Sequence, residues 1–195
     1  MLEGAVRKAK GEDAPEEKNV TVNLLVDAFL PETYIPAEEQ KLEIYKRIAA
    51  IGSAADAGDV RDEMTDRFGE LPLPAQNLLR VAVIRSVAAR LDIIELNGSG
   101  GRLKILPDPQ AKGMKVKNIP LLLKMYKNRL TFNVKGGPSS AAKTGASSSK
   151  GSSSPAKGSP VFLLTYPVTG NTVRDEEALL QAVEDLLVNM SKVLR

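Results

Sequence analysis

Four carboxylates at helical spacing are the residues best placed to do chemistry in this sequence. Asp56, Asp59, Glu63 and Asp66 are separated by three, four and three positions, and Asp62 stands beside them. At about 100° per residue the four fall within roughly 80° of one helix face. Carboxylates can hold a divalent cation, move protons or dock on a basic partner. A magnesium site needs ligands that converge on one point, whereas a stripe along one helix diverges. Docking is therefore the chemistry this row suits, with a plainly solvated acidic face as the simpler alternative. Asp56 and Asp59 lie near the start of the candidate helix, where the macrodipole favours negative charge. Glu63 and Asp66 lie toward its unfavourable end, which makes them the stronger interaction candidates.

Most other site chemistries are excluded by composition. The chain has no Cys and no His. Disulfides, thiol nucleophiles, zinc fingers and imidazole acid-base catalysis are thereby removed. Gly98-Ser99-Gly100 reads as a turn, because no His exists to activate a serine. The run from Gly137 to Thr144 has Ala142 where a phosphate-binding loop needs Gly, and the Ser-rich residues after it do not suit a helix. No catalytic residue, cofactor or metal ligand is assigned.

Helices must carry the acidic row. Ala37 to Ile51 is expected to be one, with Leu42, Tyr45, Ile48 and Ala49 as its stripe, widened by Ile44 and Ile51. A second runs from about Ala54 to Phe68, with Val60, Met64 and Phe68 on a side distinct from the carboxylates and Gly69 as its stop. Pro74 suits the first turn of a third, ending at Leu91, whose apolar residues cover most of its circumference and mark it as the central helix. Strands are expected at Val20–Ala28, Asp92–Leu96, Leu103–Leu106, Leu130–Val134 and Val161–Tyr166, with a hairpin turn in Asn97–Gly101. Asn118–Asn128 reads as a short helix capped by Asn118, and Thr172–Leu194 as a long one. The fold class is α+β: helices first, then a small, mostly antiparallel sheet with further helices.

Charge is unevenly placed. Of 27 basic residues, three (Lys143, Lys150, Lys157) lie in Gly136–Pro160, which has no acid, leaving 24 against 24 acids elsewhere. Nine of the 25 residues in that stretch are Ser and none is an aliphatic larger than Ala, so it is read as a disordered insert. Residues 1–19 read as the end of a preceding module and a linker. Residues 20–135 and 161–195 read as two parts of one domain. Lys104, Lys112, Lys115, Lys117, Lys124, Lys127 and Arg129 make the middle basic. That segment and the insert support an alternative reading as a nucleic-acid-binding module, weakened by aromatic residues being only 4% of the chain. The first residues show no apolar signal-peptide core, and no apolar run reaches the ~20 residues a bilayer span needs. The expected setting is soluble: the bacterial cytoplasm, or an organelle in a eukaryotic host.

Several short motifs point to a family. Tyr34-Ile35-Pro36, Tyr45-Lys46-Arg47-Ile48-Ala49, the run Asp66 to Pro74 (D-R-F-G-E-L-P-L-P) and Asn77-Leu78-Leu79 occur in one order at family-like spacing. From Leu2 to Phe132 the chain resembles the C-terminal domain of the transcription-repair coupling factors (the Mfd, or TRCF, family). Leu2 to Val6 also resembles the end of the motor module that precedes that domain.

The resemblance implies a regulatory part of a large ATP-dependent DNA translocase that pushes on stalled RNA polymerase and recruits UvrA. It implies a domain with no ATP site of its own, reaching DNA only through the missing motor. It implies docking on the UvrA-binding module, within the same factor or in trans, that keeps the translocase repressed. Glu63 and Asp66 are the interaction residues it assigns; Asp59 and Asp62, from the same acidic helix, complete the candidate interaction set. Glu63→Lys with Asp66→Lys is then expected to leave the fold intact and release the clamp.

Overall fold

The computed structural model describes residues 19–110, 115–134 and 160–194. The linker expected over 1–19 and the insert expected over 136–160 lie outside these residues, except for Asn19 and Pro160. The elements are β1 (Thr21–Leu24), α1 (Glu38–Ala49), α2 (Ala54–Phe68), α3 (Leu73–Arg90), β2 (Ile93–Ser99), β3 (Arg102–Pro107), α4 (Ile119–Tyr126), β4 (Leu130–Val134), β5 (Pro160–Thr165) and α5 (Thr172–Leu194).

Five strands form one sheet in the order β1-β2-β3-β5-β4. Only the β1–β2 pair is parallel; the other three are antiparallel. Alternation decides the two faces. Leu96, Leu103, Ile105, Phe162 and Leu164 are buried and stand opposite one another across β2, β3 and β5. Their neighbours Asn97, Arg102, Leu163 and Thr165 are exposed. Helices α3, α4 and α5 supply the rest of that core, through Ile84, Ala88, Leu122, Leu180, Val183 and Leu187 among others. The opposite face is mixed: Lys104 pairs there with Glu95 at 3.6 Å and stands opposite the exposed Leu163.

A second core joins α1, α2 and the first half of α3: Ile35, Ile44, Ile48, Met64, Ala75 and Leu79 are all nearly inaccessible. Helix α3 belongs to both cores, with Leu79 and Ala82 in one and Ile84 and Ala88 in the other. Its role as the central helix holds.

Local chemistry explains several boundaries. Ser53 caps α2 by accepting from the Asp56 amide at 3.2 Å, and Asp56 returns the contact by accepting from the Gly52 amide at 2.9 Å. Gly69 ends the helix with φ 88°, a backbone that suits glycine. Gly100 and Gly101, both at positive φ, make the two-residue β2–β3 turn. Gly98 has no room for a side chain: a Cβ there would lie 2.7 Å from Leu179 Cδ1 and 2.9 Å from Leu24 Cδ2. Its bareness lets α5 sit down on the sheet.

Some expectations shift. The first strand spans only four residues, because Val26 folds back to bond with Leu24 and leaves the ladder. The buried stripe of α1 centres on Ile44 and Ile48, while Leu42 is 56% exposed and Ala49 is exposed. Two apolar rows compete on that helix, and packing against α2 and α3 selects one. Asn118 does not cap α4; its Nδ2 donates instead to the Val193 carbonyl at 2.7 Å, tying α4 to the end of α5.

Candidate protein-interaction site

Helix α2 presents the carboxylates as the spacing indicates. Ala57 and Met64 face inward and are buried. Asp56, Asp59, Asp62 and Asp66 are exposed. Glu63 is different, with a side chain only 24% accessible.

Glu63 is held within the chain. It pairs with Arg47 of α1 and with Arg67 one turn along α2 at 2.9 Å, and Arg67 also reaches Glu43 at 3.5 Å. The Arg67 guanidinium lies 5.0 Å from the centre of the Phe68 ring. Two acids and two arginines thus lace α1 to α2. Glu63 therefore has a stabilising role that helix position alone does not reveal, because Arg47 comes from another helix. Asp56 is committed too: the Gly52 amide and the Ser53 hydroxyl hold its carboxyl below the usual carboxylate range.

Asp59, Asp62 and Asp66 make no hydrogen bond or ion pair through their carboxylates among the described residues. A shallow depression between α1 and α2 is lined by Asp56, Asp59, Glu63 and Arg47, while Asp62 and Asp66 stand outside it. The row is thus half structural and half free. No group of three or more acids among the described residues is arranged to hold a metal ion.

The surrounding motifs are what hold α2 in place. Tyr34 donates to the Met64 and Gly69 carbonyls at 3.1 and 3.0 Å and meets Phe68 edge-on with centroids 5.9 Å apart. Burial pushes its phenol above the ordinary tyrosine value. The Tyr45 hydroxyl accepts from the Leu30 amide at 3.0 Å. Arg85 donates to the Ala49 carbonyl and Arg90 to the Gly52 carbonyl, anchoring the α1–α2 turn on α3.

Two polar features escaped the sequence reading. Arg80 of α3 grips Glu184 of α5 with two hydrogen bonds, at 2.8 and 2.9 Å, and Glu177 at 2.6 Å. Its guanidinium is held even further into the charged state by those carboxylates. Asn77 and Glu176 are the two buried polar residues of the described structure. Glu176 accepts from the Asp27 amide at 3.2 Å and Asn77 donates to the Asp27 carbonyl at 3.1 Å. Helical spacing between positions 177 and 184 was a usable signal for the first; nothing local marks the second.

Comparison with known proteins places this geometry. The family model described as TRCF domain matches residues 24–117, a span that contains Tyr34, all of α2 and the start of the sheet. The chain carries a TRCF domain. It is 34% identical over 113 residues to the transcription-repair-coupling factor of Staphylococcus epidermidis, a match covering 57% of this chain and 10% of that protein. The corresponding factor of Bacillus subtilis is 33% identical over 115 residues, with 57% and 10% covered. That of Mycobacterium tuberculosis is 37% identical over 109 residues, with 54% and 9% covered. The matched part of the chain is thus about a tenth of each relative. A crystal structure of the C-terminal domain of a transcription-repair coupling factor superposes with TM-score 0.61 over 89% of this chain and 94% of that one, at 19% identity, which shows a shared fold. Among the described residues no helix is long and apolar enough to cross a membrane.

Proposed function

We propose that this TRCF domain is a regulatory, protein-binding module of a transcription-repair coupling factor. Its α2 face docks on arginines of the UvrA-binding module and favours the repressed form of the translocase. ATP hydrolysis and movement on DNA belong, in this reading, to the motor of the full-length factor. RNA polymerase and UvrA are reached through that factor. The observation that supports the reading best is the trio Asp59, Asp62 and Asp66, exposed and unpaired among the described residues, on a helix inside the matched segment.

The internal pairing of Glu63 refines how such docking works. An incoming arginine would meet a carboxylate already flanked by Arg47 and Arg67. Asp66 and Asp62 therefore offer the free charge, while Glu63 holds the platform. A contact of this kind supplies a few kcal/mol, enough to bias a closed state that a competing partner can open.

Titration of the chain with an isolated UvrA-binding module, followed by calorimetry, tests this directly. Asp62→Lys with Asp66→Lys is expected to weaken binding by about tenfold or more, since like charges then face each other. The affinity of the unaltered chain should also fall with salt. Unchanged affinity in that double variant would sink the proposal. DNA binding that survives the same substitutions and falls steeply with salt would favour the nucleic-acid reading instead.

A further inference from the structure

One end of the sheet carries a cleft that the α2 reading does not use. Its volume is about 520 Å³. The chain leaving β1, the β2–β3 turn and the β5–α5 connection converge there. Convergent loops on a rigid sheet are where binding surfaces are commonly built.

The walls are apolar and open. Leu25 is 73% exposed and Val168 is 50% exposed, over a floor that includes buried Tyr166. Leaving large aliphatic side chains in water around a concavity is unfavourable unless something covers them. Leu25 is not on a loose tail, since its amide donates to the Gly98 carbonyl at 2.9 Å.

Charge in the cleft has one sign. Asp27, Asp175 and Glu176 line it, and no Lys or Arg does among the described residues. Two of the three are committed: Asp175 accepts from Thr169 and Gly170, and Glu176 from the Asp27 amide. Asp27 is held by its main chain from both sides, by Glu176 and Asn77, while its exposed carboxylate has no partner among the described residues. The arrangement holds an unneutralised anion beside an apolar wall.

We propose that this cleft is a second docking site, for a partner polypeptide that presents a large aliphatic side chain next to a lysine or arginine. The aliphatic group covers Leu25 and Val168, and the cation meets Asp27. The site is separate from the α2 face and does not depend on it.

The test is an amide NMR titration of the full chain with acetyl-Leu-Lys-Leu-Lys-amide, against acetyl-Leu-Glu-Leu-Glu-amide as control. Saturable shifts are expected at Leu25, Asp27, Gly100 and Gly170 with the lysine peptide alone, at affinities near the ~1 mM typical of minimal contacts. Leu25→Asp, at a solvent-exposed position that spares the fold, and Asp27→Asn should each weaken binding about fivefold or more by removing one half of the complementarity. Asp62→Lys with Asp66→Lys should leave it unchanged, so failure here is distinguishable from failure of the α2 proposal. Three results would overturn the inference: equal binding of the acidic peptide, shifts confined to other surfaces, or no saturable shift at all. Concentration-dependent shifts at the same residues without peptide would show a second copy as the occupant and overturn it equally.

Discussion

Side chains that resemble one another in the sequence divide by what reaches them from other elements. Asp56, Glu63 and Asp66 are carboxylates on one helix face, yet only Asp66 is free among the described residues. Glu63→Gln keeps shape and removes charge, so it should cost about 1 kcal/mol by loosening the pairs with Arg47 and Arg67, read as a shift in urea midpoint. Asp66→Asn should shift that midpoint by no more than about 0.5 kcal/mol. The same contrast makes Glu63→Lys a poor docking probe, because it sets a third cation between two arginines. Acid sensitivity follows from Asp56 and Asp175. Backbone and hydroxyl donors at Gly52 and Ser53 lower the first, and the Thr169 and Gly170 amides with the Thr169 hydroxyl lower the second. A depressed native value means that each carboxylate stabilises the fold above the unfolded value of about 3.9, and that this is lost as pH falls through the native value. Stability should therefore decline below about pH 4. Asp56→Asn combined with Asp175→Asn should flatten that decline in urea melts; an unaltered acid limb would contradict the assignment.

Elements are joined by a few directional contacts laid over broad apolar packing. The residues that carry the family resemblance are mostly of this joining kind. Tyr34 and Phe68 close the end of α2, Tyr45 fixes the chain at Leu30, and Arg47 laces α1 to α2. They present the acidic face and do not belong to it. Arg80 performs the same service between α3 and α5. Arg80→Leu should destabilise the fold by about 1–2 kcal/mol, the range for a partly exposed charged contact, and the loss should shrink in high salt. Urea melts at two ionic strengths would show it; a salt-independent loss would point to packing of the arginine stem instead.

At the scale of the whole molecule, the described residues form two cores that share one helix, and that predicts how the fold comes apart. Met64 is fully buried in the first core, far along the chain from the strands of the second. Met64→Ala should cost about 2–4 kcal/mol for lost burial and cavity formation. Because α3 runs unbroken through both cores, that loss should appear in full at the sheet. Hydrogen exchange at the amides of Ile105 and Phe162 should quicken by the same free energy as amides in α2. Unchanged protection at those two strands would mean that the cores unfold separately.

Period, breakers and composition determined which elements form and in what order, though not every bound: the first strand stops at Leu24, and the second runs on to Ser99 through part of the expected turn. The bounds of α2, of α5 and of β4 were legible because each has a long or regular apolar pattern and a clear stop, such as Gly69. The absence of His and Cys, and the acidic row itself, were equally plain. What tertiary structure decided was partnership. Leu42 and Ile44 are equally apolar, and only packing against the neighbouring helices sends one to solvent. Asn118 looks like a cap until the end of α5 arrives to accept from it. Glu63 looks free until Arg47 approaches from another helix, and the Asp27 cleft exists only where three distant connections meet. Local pattern reports what a residue prefers along its own element; contacts between elements far apart in the chain leave no periodic trace and must be read in space.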